Sequence, residues 1–251
     1  MAGQNWRLIE LETHDAFTNM AIDESIREHV FAGKSPPTLR FYRWKPSAVS
    51  IGYFQSVAQE VHQNACQKAG IDIVRRQTGG GAVYHDFDGE ITYSVIAPET
   101  LFPKGITESY REICGWIIDS LSLLGLKAEF KPINDIILNG KKISGNAQTR
   151  RSRILHQHGT ILYDVNPEKM FSFLNVGPEK ISDKFIANVK DRVTCVKNNS
   201  NASLQDTYDC LKKGFSENKT VTEQKLSDSE SALAQKLAAE KYSSAEWNFL
   251  R

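Results

Sequence analysis

The sequence predicts an α+β protein in which largely antiparallel or mixed sheets carry packed helices. Three observations favour this class: short β-branched segments end at turn residues, longer segments carry one apolar stripe at helical spacing, and the two kinds do not alternate as regular β-α-β units. With 251 residues, the chain is long enough to bury a proper core. We therefore expect one domain over residues 1–251, with a possible small helical appendage over 204–251.

Helical segments are recognised by spacing and by capping residues. A segment after Ser56 has Gln59 at the capping-box position and Gly70 where a helix C-terminus favours positive φ. Gly125 likewise follows an apolar stripe, and Ser227 with Glu230 marks a late N-terminus. The predicted helices span about 16–32, 56–70, 107–124, 168–174, 183–189, 204–217 and 228–240.

The predicted strands are short and rich in β-branched and aromatic residues. Segments 82–85 and 90–96 suggest a hairpin that turns at Asp88-Gly89, and a Lys45-Pro46 break divides 38–53 into two strands. The remaining strands are expected over 6–11, 71–74 and 128–163.

Composition excludes several classes of function. The formal net charge is only +1, so nothing predicts a nucleic-acid-binding surface. No stretch approaches the length and apolarity of a membrane span, and no apolar leader follows Met1. The four cysteines form no C-x-x-C pair, which disfavours zinc and dithiol chemistry and indicates a reduced, cytoplasmic protein.

A glycine-rich segment is the first functional candidate: Arg75-Arg76-Gln77-Thr78-Gly79-Gly80-Gly81-Ala82-Val83-Tyr84-His85-Asp86. Three glycines between strands let backbone N–H groups converge on an anion, and two arginines can add charge. The segment lacks the Gly-Lys-Ser/Thr of a Walker loop, and no helix follows as in a dinucleotide fingerprint. A flexible hairpin loop with solvated arginines is the simpler alternative.

A lysine-bearing hairpin is the second candidate. Asn139-Gly140 is a preferred type I′ turn, and the resulting register pairs Leu138 with Lys141, Ile137 with Lys142, Ile136 with Ile143 and Asp135 with Ser144. Lys142 would then lie diagonally from Asp135 on a partly apolar face, where an anionic ligand would explain its charge. A lysine that pairs with Asp135 and reaches solvent is the alternative. Gly145 and Ala147 would leave room for a ligand.

Two further segments are ambiguous. The basic run over 150–153 is either a solvated loop or one that closes on a nucleotide or an acidic partner. His156 and His158 share a strand face, but the sequence identifies no third ligand, so a metal at this pair is not expected.

Taken together, these segments resemble the lipoate–protein ligase family, within the superfamily that also contains biotin ligases and lipoyl or octanoyl transferases. The resemblance rests on the glycine segment, Asn134-Asp135, Gly140-Lys141-Lys142-Ile143-Ser144-Gly145-Asn146-Ala147 and His158-Gly159-Thr160. It extends from Arg40 to Thr194, and more weakly to Tyr242–Trp247. It implies a biotin/lipoate ligase-like catalytic domain.

The resemblance implies ATP-dependent activation of lipoate to lipoyl-AMP, followed by transfer of the lipoyl group to a lysine. Lys142 matches the family's catalytic lysine and would stabilise charge in the transition state. Asp135 would hold Mg²⁺ or orient Lys142, and residues 51–54 would form part of the lipoyl wall. The residues implied in binding nucleotide and acyl group are Arg76, Gly79, Gly80, Gly81, Ala82, Val83, Tyr84, His85, Asn134, Asp135, Gly145, Ala147 and His158.

The implied cofactors are ATP and Mg²⁺, with lipoate as substrate and a lipoyl-domain carrier as partner, such as an H protein or a 2-oxoacid dehydrogenase subunit. The chain ends without the family's C-terminal accessory domain, so it resembles the split archaeal arrangement with a separate accessory subunit. An octanoyl or lipoyl transferase that uses an acyl-carrier thioester is one alternative, and a non-catalytic lipoyl- or nucleotide-binding module is another. The family's transferases carry a cysteine nucleophile, and residues 127–135 contain none, so thioester transfer is not expected.

Overall fold

The computed structural model describes residues 5–175 and 192–251. Its strands are β1 Asn5–His14, β2 Thr38–Trp44, β3 Ala48–Ile51, β4 Asp72–Arg75, β5 Val83–His85, β6 Glu90–Pro98, β7 Ala128–Lys131, β8 Asp135–Leu138, β9 Lys141–Arg151, β10 Ile154–Leu162 and β11 Thr220–Glu223. Its α-helices are α1 Ala16–Phe31, α2 Val57–Glu60, α3 Gln63–Ala69, α4 Ile106–Ser122, α5 Pro167–Phe173, α6 Leu204–Ser216, α7 Asp228–Leu237 and α8 Ala245–Asn248. The helix predicted over 183–189 lies outside the described residues.

Two sheets organise these elements. The large sheet has eight strands in the order β11-β1-β2-β6-β10-β9-β8-β7, and the small sheet has three in the order β4-β3-β5. In the large sheet, β1 runs parallel to β11 and β2, while the pairs from β2 to β7 are antiparallel. The predicted α+β class, with mixed sheets and packed helices, is confirmed.

The large sheet separates two cores because its strands alternate side chains between opposite faces. Leu8, Phe41 and Val95 lie in a core shared with α4 and α6. Their neighbours Ile9, Tyr42 and Ile96 lie in the opposite core, with α1 and α7. The C-terminal elements thus pack into both cores, and β11 pairs with β1.

The predicted hairpin over 82–96 is wrong. β5 pairs with β3 in the small sheet, whereas β6 pairs with β2 and β10 in the large sheet. The turn at Asp88-Gly89 therefore moves the chain from one sheet to the other. This crossing brings the two sheets together around the candidate site.

Capping residues explain several helix ends. Gly70 ends α3 with φ of 65°, and Ser227 with Glu230 forms the expected capping box of α7. Ser56 also precedes a helix, but its side chain makes no capping bond. That helix is broken at Val61, which instead forms a bridge with Leu174. Among the described residues, no helix combines the length and apolarity needed to span a bilayer.

A cavity between the two sheets as candidate active site

A cavity of about 330 Å³ lies between residues of the small sheet and residues of the large sheet. It brings together segments that are far apart in the sequence, including the glycine segment and the lysine hairpin. Twelve of the predicted site residues line it: Arg76, Gly80, Gly81, Ala82, Val83, Tyr84, His85, Asn134, Lys142, Gly145, Ala147 and His158. Gly79 and Asp135 lie just behind this wall, each bonded to a lining residue.

Lys142 lies on the cavity wall with its amine held by a carboxylate. Its Nζ is 2.6 Å from Oδ1 of Asp135, and the lysine side chain remains 42% exposed. The backbone of Lys142 is fixed on its other side, since its N–H donates to the Arg192 carbonyl at 2.7 Å and its own carbonyl accepts from the N–H of Thr194 at 2.8 Å. Asp135 therefore positions the amine, the segment 192–194 fixes the backbone of Lys142, and the amine is still accessible from the cavity.

The predicted register of the lysine hairpin holds only near its turn. Leu138 pairs with Lys141 and Ile137 with Lys142, but a bulge then shifts Asp135 onto Gly145. A bulge inserts an extra residue in one strand and bends it. Here it lets Ile143 and Ser144 both be buried, and Lys142 still reaches Asp135 as expected.

Gly145 makes room for the lysine itself. A Cβ at this position would lie 2.8 Å from Nζ and 2.7 Å from Cε of Lys142. The room expected here for a ligand is therefore occupied by the Lys142 side chain. Any larger residue at position 145 would push the amine out of place.

The glycine loop is fixed from behind by two contacts. The Arg76 guanidinium is buried and donates to the carbonyls of Gly79 at 2.9 Å and Gly81 at 2.7 Å. A Cβ on Gly52, the residue after β3, would lie only 2.0 Å from the Gly80 carbonyl oxygen, so the chain here and the loop approach as closely as glycine allows. Burial lowers the pKa of Arg76 to about 10. In this structure its guanidinium holds the loop.

Arg75 plays a similar part at the end of β4. Its guanidinium donates to the carbonyls of Gly52, Tyr53 and Gln55 and to those of Trp247 and Asn248. These bonds attach the C-terminal segment to residues 52–55. Residues 51–55 do not line the cavity, and Phe54 is 69% exposed. The lipoyl wall predicted over 51–54 is therefore wrong.

The apolar part of the cavity comes from elements that the sequence did not single out. Aromatic and aliphatic side chains face it from β2, β10, α1, α5 and the segments that follow them. They are Met20, Tyr42, Trp44, Leu162, Met170, Leu174 and Val193. Such a surface suits an aliphatic chain. Strand alternation predicts a buried face for Tyr42 and Trp44, but nothing local distinguishes a cavity wall from a filled core.

His156 and His158 do meet a third potential ligand. Asp23 of α1 lies 3.3 Å from Nε2 of His156 and 3.9 Å from Nδ1 of His158, and all three are buried. Asp23 is already paired with Arg40 at 2.9 Å. Although burial would raise the pKa of Asp23, Arg40 and the two histidines hold it well below its ordinary value.

His158 is the member of this cluster that reaches the cavity. Its Nε2 lies 2.7 Å from Oγ1 of Thr78, beside the glycine loop. Burial lowers the pKa of His158 to about 4, so the ring is neutral near pH 7. A neutral imidazole here couples the large sheet to the loop without adding charge.

None of the four cysteines lines the cavity along the described part of the chain. Cys66, Cys114 and Cys195 are buried, and Cys210 is partly buried. Burial raises the pKa of Cys66 to about 11 and that of Cys114 to about 12, and it also raises the pKa of Cys195 and Cys210. The thiolate is the nucleophile, so these side chains are poorly suited to acyl transfer.

Comparison with known proteins identifies relatives along the whole chain. The family model of the lipoyl protein ligase A/B catalytic domain matches residues 15–216. The octanoyltransferase LipM of Brevibacillus brevis is 35% identical over 277 residues, which cover 99% of this chain and 100% of the relative.

Solved structures show the same fold. A bi-partite lipoate protein ligase of Thermoplasma acidophilum, studied with its E2 lipoyl domain, is 34% identical and superposes with a TM-score of 0.89, covering 98% of this chain and 96% of its own. Two others are each 31% identical and cover 98% of this chain. They are T. acidophilum Ta0514 with bound lipoic acid (TM-score 0.81, 100% of its own chain) and a lipoate-protein ligase A bound with ATP (TM-score 0.83, 98%). The expected resemblance to the split archaeal ligases is confirmed.

The expectation of ATP-dependent lipoate ligation is wrong. Full-length relatives, including LipM proteins at 34% and 31% identity, are octanoyltransferases. They support the thioester alternative, although residues 127–135 contain no cysteine. Of the two roles expected of Asp135, the contact with Lys142 is present, whereas the Mg²⁺ role stays a prediction. The family model covers residues 15–216, and both sequence relatives and solved structures above 30% identity are lipoyl ligases or octanoyltransferases. The chain therefore belongs to the lipoyl protein ligase A/B family and is an enzyme of this ligase and transferase family.

Proposed function

We propose that this protein transfers an octanoyl- or lipoyl-type acyl group from a carrier thioester to a lysine of a lipoyl domain. The observation that carries the proposal is an apolar cavity with one held ammonium on its wall, that of Lys142. The octanoyltransferase relatives give the class of reaction, since they match the chain over its full length. Residues 1–251 act in this proposal as one catalytic domain.

The acyl chain would occupy the apolar part of the cavity. Tyr42, Trp44, Met170 and Leu174 offer a surface without charge, and burial of each methylene contributes roughly 0.8 kcal/mol. Methionines adapt their shape readily, which suits a pocket that accepts a flexible chain. A lipoic acid molecule bound to Ta0514 is consistent with such a pocket in a relative.

Lys142 would act on the thioester carbonyl. When a nucleophile adds to the carbonyl carbon, negative charge develops on oxygen, and a preorganised cation stabilises that charge more than the ground state. Asp135 holds the amine at 2.6 Å and so limits its conformations. In the net reaction an N–C amide bond forms, the C–S bond breaks, and the carrier thiol receives the proton that the attacking amine loses.

The glycine loop and its neighbours would close the cavity over the acyl group and its carrier arm. In this proposal residues Gly79–His85 and Ala147 contact the substrate, while Arg76 and His158 hold the loop, as their hydrogen bonds indicate. Asn134 binds the backbone carbonyl of Asn146 at 2.5 Å and would fix the strand that carries Lys142. The lipoyl-domain partner is supported by the archaeal ligase studied with its E2 lipoyl domain.

The test is transfer by the purified chain without ATP. Octanoyl-loaded acyl carrier protein and an unmodified lipoyl domain are mixed with the enzyme, and intact-mass spectrometry follows the lipoyl domain. We expect a mass increase of one octanoyl group that needs the enzyme and is unaffected by a chelator or by ATP. Modification only when free acid and ATP are supplied would contradict the proposal.

A further inference from the structure

Three cavity residues form a hydrogen-bonded series, and the roles proposed above leave these hydrogen bonds unexplained. Oγ of Ser50 lies 2.8 Å from Nε2 of His85, and Nδ1 of His85 lies 2.6 Å from Oε1 of Glu90. All three residues line the cavity that Lys142 lines, and they are 1%, 4% and 2% exposed. The spacing is that of a nucleophile, a general base and an orienting carboxylate.

The neighbouring donors are consistent with one direction of these hydrogen bonds, the one that general-base catalysis needs. Arg76 can only donate, and its Nη1 lies 3.1 Å from Oγ of Ser50, so the hydroxyl oxygen accepts from Arg76 and its own hydrogen remains available. The Glu90 carboxylate accepts from Nδ1 of His85, which leaves Nε2 as the acceptor. With the ring in this neutral tautomer Ser50 donates to His85, as a serine must before its proton is removed.

The hydrogen bonds at the Glu90 end of the series run in the same direction, toward the carboxylate. Nε1 of Trp44 can only donate, and it donates to Oγ1 of Thr92 at 2.7 Å. Thr92 in turn donates to Oε1 of Glu90 at 2.9 Å. The Glu90 carboxylate thus accepts from Thr92 and, in the tautomer with its proton on Nδ1, also from His85.

The imidazole is held in one orientation by stacking as well as by these bonds. The rings of Trp44 and His85 are parallel within 14°, with centroids 4.0 Å apart. Ser50 and His85 lie on β3 and β5, which are neighbouring antiparallel strands. Glu90 is the first residue of β6 in the other sheet. The series therefore joins the two sheets at the cavity, and each of its members lies on a regular strand.

From this geometry we infer that Ser50 is an acyl-accepting nucleophile, with His85 as its general base and Glu90 as the residue that orients His85. The inference rests on the proposed function and deepens it, because transfer then proceeds through an acyl-serine ester. It also supplies a nucleophile in a chain whose described cavity lining contains no cysteine. The fixed guanidinium of Arg76 stabilises negative charge that develops on Oγ.

Both half-reactions conserve protons. Oγ of Ser50 attacks the thioester carbonyl while its proton passes to Nε2 of His85; the C–S bond breaks, and the leaving thiolate takes that proton. The neutral amine of the lipoyl-domain lysine then attacks the ester carbonyl and gives a proton to His85. The C–O bond breaks, and Oγ of Ser50 recovers the proton from His85. Lys142, which lines the same cavity, is the cation that this inference assigns to the carbonyl oxygen in both steps.

The direct test is to trap the ester on the wild-type enzyme, which requires no variant. The enzyme is mixed with octanoyl-loaded acyl carrier protein without lipoyl domain, quenched in acid, and analysed by intact-mass and peptide mass spectrometry. We expect one octanoyl group on the peptide that contains Ser50, removed by hydroxylamine and discharged when lipoyl domain is added before the quench. Initial rates with both substrates varied should give the parallel-line pattern of a ping-pong mechanism.

Variants assign the roles. Ser50→Ala should abolish the ester, Ser50→Cys should carry the acyl group as a thioester, and His85→Gln should slow acylation by about 10²–10⁴-fold. Ser109→Ala is the matched control, because Ser109 is also buried and hydrogen-bonded but lies outside the cavity lining. We expect it to retain the ester and wild-type transfer. Thermal unfolding of each variant checks that the fold is intact.

The outcomes separate this inference from the proposed function. If the wild-type enzyme transfers octanoyl from the thioester but shows no ester at Ser50 and intersecting initial-rate lines, the serine mechanism is overturned and the transferase remains. Folded Ser50→Ala that transfers at the wild-type rate also overturns the serine mechanism, and the series then serves only to join the sheets. Absence of any thioester transfer by the wild-type enzyme instead defeats the proposed function.

Discussion

Nζ of Lys142 lies 2.6 Å from Oδ1 of Asp135, across a hairpin whose bulge places Gly145 opposite the carboxylate. A residue with a Cβ at position 145 would collide with the lysine side chain. Asp135 therefore holds the amine of Lys142 at the edge of an apolar cavity. The absence of a Cβ at Gly145 leaves the space that the lysine side chain occupies. An ion pair on a half-exposed site contributes little to stability, so its position at the cavity is what indicates a function.

Replacing Lys142 should remove most of the activity. We expect Lys142→Ala to lower the rate of acyl transfer by about 10²–10³-fold, the loss typical of removing one preorganised donor to a developing oxyanion. Lys141→Ala is the matched control, since it removes a lysine from the adjacent position, outside the cavity lining. Single-turnover rates of lipoyl-domain modification measure both variants. A Lys142→Ala enzyme that equals the Lys141→Ala enzyme would contradict the role of this amine.

Gly52 should matter through the glycine loop. A Cβ there would lie 2.0 Å from the Gly80 carbonyl oxygen, so Gly52→Ala must displace the loop. We expect a loss of about 10²-fold in transfer rate, because small misplacements of a site are costly, with a folded protein by circular dichroism. Gly115→Ala is the control: a Cβ added to Gly115 in α4 would meet no atom within 4 Å, and the change should stabilise the helix by about 0.5–1 kcal/mol. Equal rates for both variants would exclude a positional role of the loop.

The thiols should be dispensable. Cys195 lies two residues beyond Val193, which bridges to Lys142, yet it is fully buried, and burial raises its pKa. We expect Cys195→Ala and Cys114→Ala to transfer octanoyl close to the wild-type rate, and iodoacetamide to leave the native enzyme active. Loss of the acyl-enzyme adduct in either variant, with the fold intact, would transfer the nucleophile from serine to cysteine.

Stability should fall as the pH drops below neutrality, partly through His158. Burial lowers its pKa to about 4, against about 6.5 for an unperturbed histidine. Between these values the unfolded chain binds the additional proton, so the free energy of unfolding decreases as the pH falls through this window. From about pH 7.5 to about pH 5 this single group should remove about 2 kcal/mol. Asp23 stays ionised there, because its pKa is held well below the ordinary value.

The variant His158→Gln isolates that contribution. It should start less stable than wild type, because Thr78 loses its imidazole partner, but it should lose about 2 kcal/mol less between the two pH values. Urea unfolding at each pH measures the difference. Parallel pH dependence of wild type and variant would show that His158 does not titrate in this window.

Local signals predicted local structure well. The helix caps at Gly70 and Ser227 lie where the sequence predicts them. Each depends only on a few neighbouring residues, because Gly70 adopts positive φ and the Ser227 side chain bonds to the backbone three residues later. The Asn139-Gly140 turn likewise set the first two pairs of its hairpin. Partner choice between distant strands has no such local signal. For this reason the sequence predicts a pairing of β5 with β6, which are close in the chain, and the structure does not have it.

The site was predictable where a motif is compact and not where it is dispersed. The glycine segment and Lys142 stand out within a few residues each, and the structure brings them to one cavity. Ser50 and Glu90 are single polar residues in otherwise ordinary strands, and their relation to His85 depends on the meeting of two sheets. The wall predicted over 51–54 failed because an aromatic pair beside a glycine can as easily face solvent, as Phe54 does.

The most direct test of the central claim is transfer of octanoyl from its carrier-protein thioester to a lipoyl domain by the purified enzyme, with ATP and magnesium withheld. We predict a lipoyl domain that gains one octanoyl group on its target lysine, at a rate that Lys142→Ala reduces by about 10²–10³-fold. A lipoyl domain left unmodified by the thioester, yet modified by octanoate with ATP, would contradict the proposed transferase.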